Sequence, residues 1–186
     1  RDALKAQKAE IVALLHQHHD RQPVNDLPIL ESAPEERYQP FPLTDMQHAF
    51  WIGRSGILEL GGVSNHGYYE IEGEDLDVDR LNIALQRLID RHDMLRAVVM
   101  PDGQQRILEE VPLSQMPVVD LRGKAESEIE AGLGVIREEM SHQVLPADRF
   151  PLFDFRATRL DGARLRLHIS YDLLVFDAWS LFRLFE

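Results

Sequence analysis

The stretch from Arg164 to Ser180 constrains the chain most, because its periodicity changes part-way along. Up to Asp172 it alternates as a strand. Leu165, Leu167, Ile169 and Tyr171 fall on one face, and Arg164, Arg166, His168, Ser170 and Asp172 on the other. His168 and Asp172 therefore point the same way. Beyond Asp172 come Leu173, Leu174, Val175, Phe176, Asp177, Ala178, Trp179 and Ser180, where alternation stops and a helix-like run begins. Two carboxylates and a hydroxyl stand there in apolar company, and each would need a hydrogen bond or a counter-charge if buried. Such a junction is either a site or a tightly tied corner. As a corner, Asp177 caps a helix starting near Ala178 by accepting from the Trp179 or Ser180 amide, and Asp172 faces solvent. As a site, the aspartates are buried and demand a cation such as Arg91 or Arg96. Paired carboxylates can then act as base and acid if their surroundings separate their pKa values. Spacing leaves both readings open.

The remaining segments frame this junction. Asp2 to His19 lacks Gly and Pro and spaces Leu4, Ile11, Leu14 and Leu15 as one side of a helix. His16 and His19 share a helix face, but imidazoles near a helix C-terminus answer its partial negative charge and imply no metal. Four prolines between Arg21 and Pro40 read as a linker or strap. Thr44 with Gln47 three residues on is a capping box, so a helix begins at Asp45 and stops at Gly53. Its His48 reads as a packed or surface histidine. A loop over Gly56 to Asn65 leads to a half-buried strand around Tyr69 and Ile71 that ends at Gly73.

Asp77 then caps the clearest helix, which carries Val78, Leu81, Leu85, Leu88 and Ile89 through Arg91. A hairpin follows, with strands over Met94 to Met100 and Gln104 to Val111 about a Pro101-Asp102-Gly103 turn. Ile129, Leu133, Ile136 and Met140 mark another helix between Ala125 and Gln143. A strand with Phe153, Phe155 and Ala157 turns at Asp161-Gly162 into the Arg164 strand. The order is that of an α/β lobe, a mixed sheet with flanking helices.

Composition narrows the chemistry. Of 186 residues, 32 are acidic and 20 basic, a net charge of -12, which repels nucleic-acid backbones and anionic membranes alike. There is no cysteine, hence no disulfide framework and no thiolate nucleophile or metal ligand. No apolar run reaches membrane-spanning length and the N-terminus lacks the apolar centre of a signal peptide, so a cytoplasmic setting is expected. Arg1 and Glu186 both read as cut ends, which makes a fragment the expectation.

The junction resembles the Asp-x-x-x-x-Asp-x-x-Ser signature of the heterocyclization domains of nonribosomal peptide synthetases, a branch of the condensation-domain family. Further segments resemble that family in the same order. Phe41-Pro42-Leu43-Thr44 with Gln47 and Ala49 to Arg54 is similar to its first motif. Arg91 to Arg96 with Asp102-Gly103 is similar to its second, and Pro151-Leu152-Phe153 to the approach to the signature. In ordinary condensation domains the motif is His-His-x-x-x-Asp-Gly-x-Ser. Aligned on Asp177 and Ser180, Asp172 stands at the first histidine and Leu173 at the second, functional one.

The resemblance implies a chloramphenicol-acetyltransferase-like N-terminal lobe over residues 38–186, preceded by an interdomain or docking segment over residues 1–37. It also implies amide formation followed by cyclodehydration to a thiazoline or oxazoline, on substrates carried by phosphopantetheine. Upstream and downstream peptidyl carrier proteins, a C-terminal lobe and adjacent synthetase domains are the implied partners. No cofactor is expected on this lobe. Asp172, Asp177 and Ser180 are the implied site residues, with Asp177 expected to pair structurally with Arg96 or Arg91. A further acid/base pair is implied in the second lobe, so the fragment alone is expected to be inactive. The alternative is a non-catalytic scaffold or carrier-protein binding module on the same fold.

Overall fold

The computed structural model describes residues 31–54 and 62–184. The expected first helix, with His16 and His19, lies outside these residues, as does most of the Gly56 to Asn65 loop. The chain divides into units over residues 1–34 and 35–186, and all that follows concerns the second.

Two sheets build it. In the smaller, β1 (Phe41–Pro42) and β3 (Ala97–Val99) flank β4 (Gln104–Ile107), all antiparallel. The larger runs in the order β2 (His66–Glu74), β7 (Arg164–Asp172), β6 (Phe153–Arg159), β5 (Val118–Asp120). Only β5 and β6 are parallel. Among the described residues four α-helices accompany them: α1 (Asp45–Arg54), α2 (Val78–Arg91), α3 (Glu126–Ser141) and α4 (Ala178–Leu184).

Helix starts follow the local signals. Thr44 and Gln47 form the capping box, with the Thr44 amide donating to Gln47 Oε1 at 3.0 Å. Asp77 Oδ1 accepts from the Asp79 and Arg80 amides at the start of α2. The hairpin differs from expectation. Asp93–Arg96 forms a 3₁₀ turn, so β3 begins only at Ala97, and β4 ends at Ile107 rather than at Val111. The short β5 falls where only a loop was expected. It borrows its ladder from β6, a pairing that no local pattern announces.

The alternation of β7 sorts the layers as the sequence implies. Its Leu165, Ile169 and Tyr171 face join α2 in the core, where Leu85 and Ile89 meet Phe153, Ile169 and Tyr171. Gly67, opposite Tyr171 on β2, is required by close approach, because a Cβ there would run into the Tyr171 ring. The other face of β7 lies under α3, with Met140 and His168 fully buried. Leu174, Val175 and Phe176, just past β7, belong to the α2-side core themselves. Burying apolar side chains of this kind is worth roughly 1.5–3 kcal/mol each, so the loop bearing the signature is packed in place.

Candidate functional site: the loop from Asp172 to Ser180

Asp172 ends β7 at 2% exposure. One carboxylate oxygen, Oδ2, accepts from Arg54 Nη1 at 2.8 Å and Ser64 Oγ at 2.6 Å. The other, Oδ1, accepts from the Leu174 amide at 2.9 Å. Arg54 also donates through Nη2 to the Leu145 carbonyl. A buried carboxylate with a guanidinium and two further donors is fully compensated, and its charge is held rather than exposed. Two segments distant in sequence, the end of α1 and the stretch at Ser64, therefore converge on this aspartate, and Arg54 ties the Leu145 backbone to them.

Asp177 behaves differently. It is exposed, and its Oδ1 accepts the Ser180 amide at 2.7 Å, an N-cap on α4. The Ser180 hydrogen bond holds its carboxyl below the usual carboxylate range. The expected pair between Asp177 and Arg96 or Arg91 is not formed. The 3₁₀ turn at Asp93–Arg96 instead brings Arg96 Nη2 within 2.6 Å of Asp93 Oδ1, and Arg96 Nη1 donates to the Glu109 carbonyl. Asp93 in turn takes both Nε and Nη2 of Arg37. Arg96 does find the carboxylate that its burial demands, but three residues away. Asp177, standing in water, needs no cation.

The two readings of the junction thus each hold at one end, the buried charge pair at Asp172 and the capped corner at Asp177. Arg54 was missed as the partner because it closes a helix outside the apolar run, where only the tertiary fold brings it to Asp172. Ser64 carried no signal at all.

Ser180 lines a cleft of about 470 Å³ with Leu88, Arg91, His92, Met94 and Trp179. Trp179 is 70% exposed, and the Arg183 guanidinium lies 5.7 Å from the centre of its ring. His48 is exposed and stacks on Trp51, which bears out the surface reading.

Under α3, His168 shares the face of β7 that carries Asp172. Its Nε2 is 3.0 Å from Thr158 Oγ1 and its Nδ1 2.8 Å from Tyr68 Oη. The Tyr68 hydroxyl donates to Glu70, so His168 Nδ1 carries the proton towards Tyr68, and Nε2 accepts from Thr158. Burial pushes the His168 imidazole below its ordinary value. Burial pushes the Glu70 carboxyl up, but hydrogen bonds from Arg137 and Tyr68 outweigh it, and the group lies below its ordinary value. Among the described residues no group of three His, Asp or Glu side chains is placed to hold a metal ion, and no helix is long and apolar enough to cross a membrane.

The condensation-domain family model matches residues 38–186, from the strap before β1 through α4. The chain belongs to the condensation-domain family. Its fold is the N-terminal lobe of a condensation-type domain. It is 43% identical over 144 residues to phenyloxazoline synthase MbtB of Mycobacterium tuberculosis, covering 76% of this chain and 10% of that protein. Pyochelin synthetase PchE of Pseudomonas aeruginosa is 37% identical over 147 residues, covering 79% of this chain and 10% of that protein. The chain thus spans about a tenth of the length of these relatives. Among solved structures, the cyclization-docking bidomain of the nonribosomal peptide synthetase EpoB from Sorangium cellulosum superposes with a TM-score of 0.76 at 39% identity. That match covers 93% of this chain and 34% of the bidomain.

Proposed function

We propose that this condensation-type lobe is the N-terminal half of a heterocyclization domain, part of an amide-forming and cyclodehydrating acyltransferase. The observation that carries the reading is the loop itself. A fully partnered, buried Asp172 is followed by Leu173 at the position where condensation enzymes place their functional histidine. A histidine-based condensation mechanism has no histidine there. The likeness to a phenyloxazoline synthase, a pyochelin synthetase and a cyclization-docking bidomain supports the same branch.

In the proposed reaction the amine of a carrier-bound Cys, Ser or Thr attacks the upstream acyl thioester, forming an amide and releasing the carrier thiol. The side-chain sulfur or oxygen then attacks the new amide carbonyl, and loss of water leaves a thiazoline or oxazoline. Both steps move protons. Asp172 is poorly suited to accept them, since Arg54, Ser64 and the Leu174 amide already occupy its carboxylate. We assign it the positioning of the loop, give Asp177 and Ser180 the shaping of the cleft edge, and place the proton transfers in a second lobe. Upstream and downstream peptidyl carrier proteins, with substrates on phosphopantetheine, and neighbouring synthetase domains are the partners of this reading. Residues 1–37 serve as the interdomain or docking segment, and the cytoplasm is the compartment.

Mass spectrometry of carrier-bound products from the whole synthetase tests this. The wild type should release amide and ring, and Asp172→Ala should lose both together with a folding defect. A wild-type enzyme that makes amide but never a ring from Cys, Ser or Thr would sink the reading. Selective loss of the ring in Asp172→Ala would give that aspartate direct chemistry instead.

A further inference from the structure

We propose that Gln47 and Gln105 form an amide clasp that positions the signature loop, and that Gln47 is required as an amide and not merely as a helix cap. The functional half of this proposal rests on the heterocyclization reading; the structural half does not.

Gln105 is the misfit that points to it. On β4 the exposed positions Gln104 and Arg106 alternate with the buried positions Gln105 and Ile107, so an apolar side chain is the ordinary occupant of position 105. Instead an amide stands there at 3% exposure. A buried primary amide is costly unless its donors and acceptor are met, and here they are. Gln105 Nε2 donates to the Pro42 carbonyl at 3.1 Å and to Gln47 Oε1 at 3.0 Å, and Gln105 Oε1 accepts from Gln47 Nε2 at 3.0 Å. The two side chains thus form a reciprocal pair of amide hydrogen bonds.

The remaining proton of Gln47 Nε2 goes to the signature loop, donated to the Leu174 carbonyl at 2.7 Å. Leu174 is then held at both of its peptide groups, its N–H by Asp172 Oδ1 and its C=O by Gln47. The Leu173 amide is held as well, by the Asn65 carbonyl at 2.9 Å. Leu173, the residue in the place of the family's histidine, therefore sits on a backbone pinned on both sides. Gln47 does this while completing the capping box, where its Oε1 accepts from the Thr44 amide and hydroxyl. A glutamate would serve the box equally well. It cannot donate to Leu174 or to Gln105, and its charge would face their oxygens.

That difference separates the two roles. Gln47→Glu should keep the capping box and α1 intact, while the buried hydrogen bonds it removes should lower the melting temperature by about 2–8 °C. It should accelerate hydrogen exchange at the Leu173 to Phe176 amides about tenfold or more, in line with a lost buried hydrogen bond. In the whole synthetase, with carrier-bound substrates, turnover at saturation should fall by a similar factor while KM for the carrier stays within about twofold. Gln105→Met, close in volume, should loosen the same amides. Unchanged loop exchange with unchanged turnover in Gln47→Glu overturns the proposal. So does a Gln105→Met protein that melts earlier but shows no local loosening while folded. If the loop loosens in both variants and the wild type forms no heterocycle, the clasp stands and the heterocyclization reading falls.

Discussion

Asp172 and Asp177 are the same residue type in one short loop, and the fold holds them by opposite means. Asp172 is buried and tied by side chains that lie more than a hundred residues away in sequence, Arg54 and Ser64. Asp177 is exposed and tied to the amide three residues on. A motif that reads as a symmetric carboxylate pair is thus one tertiary anchor and one local cap. The contrast also explains why the loop is firm at its start. Its first residues lie between the core under α2 and the Gln47–Gln105 pair, whereas its last enter an exposed helix whose Trp179 and Phe182 face outward.

The largest effect should come from stripping Asp172 of its cation. Arg54→Ala leaves a buried carboxylate unpaired and should cost about 3–5 kcal/mol in urea denaturation of the protein. A loss no greater than that of an exposed surface mutation would break the contrast between the two aspartates. Next comes Tyr68→Phe, which removes the acceptor facing His168 Nδ1 and a donor to Glu70, and should cost about 1–3 kcal/mol. The same network should make stability depend on pH. The folded state resists protonating His168, so the unfolded chain binds the extra proton as pH falls below the ordinary value of 6.5. Stability is present above that value and is lost towards lower pH, and the depressed Glu70 carboxyl adds a loss of the same sign further down. Arg137, Arg156 and Arg166 face the pair and oppose a positive charge on the ring. Replacing His168 with Gln should flatten the urea midpoint between about pH 7.5 and 5. A wild-type midpoint that does not move across that range would remove His168 as its source.

The smallest effect belongs to Asp177. Asp177→Ala should cost about 1 kcal/mol, the ordinary worth of an N-cap, and Asp177→Asn only a few tenths, since Asn caps nearly as well. Differential scanning calorimetry of the two variants sharpens the comparison. If Asp177→Asn destabilised as much as Arg54→Ala, Asp177 would be a charge-paired anchor after all.

What the sequence determined by itself was whatever depends on neighbours a few residues apart. The caps at Thr44, Asp77 and Asp177 and the face that α2 buries all follow from short-range hydrogen bonding and from helical or strand period. So does the alternation that sends His168 and Asp172 one way and Ile169 and Tyr171 the other. The family was legible too, because its motifs keep their order along the chain. Only the tertiary structure decided which cation meets which aspartate. A guanidinium on a flexible stem can reach any carboxylate that the fold brings within a few ångströms, and sequence separation does not rank the candidates. Arg54 therefore crossed from the end of α1 to Asp172 and Gln105 on β4 met Gln47 on α1, whereas Arg96 turned to the nearby Asp93 through a 3₁₀ turn that the strand expected from Met94 had hidden. The loop from Asp172 to Ser180 was visible as a junction from its residues alone. Its division into a buried anchor and an exposed cap was set by which of its carboxylates the packed core enclosed.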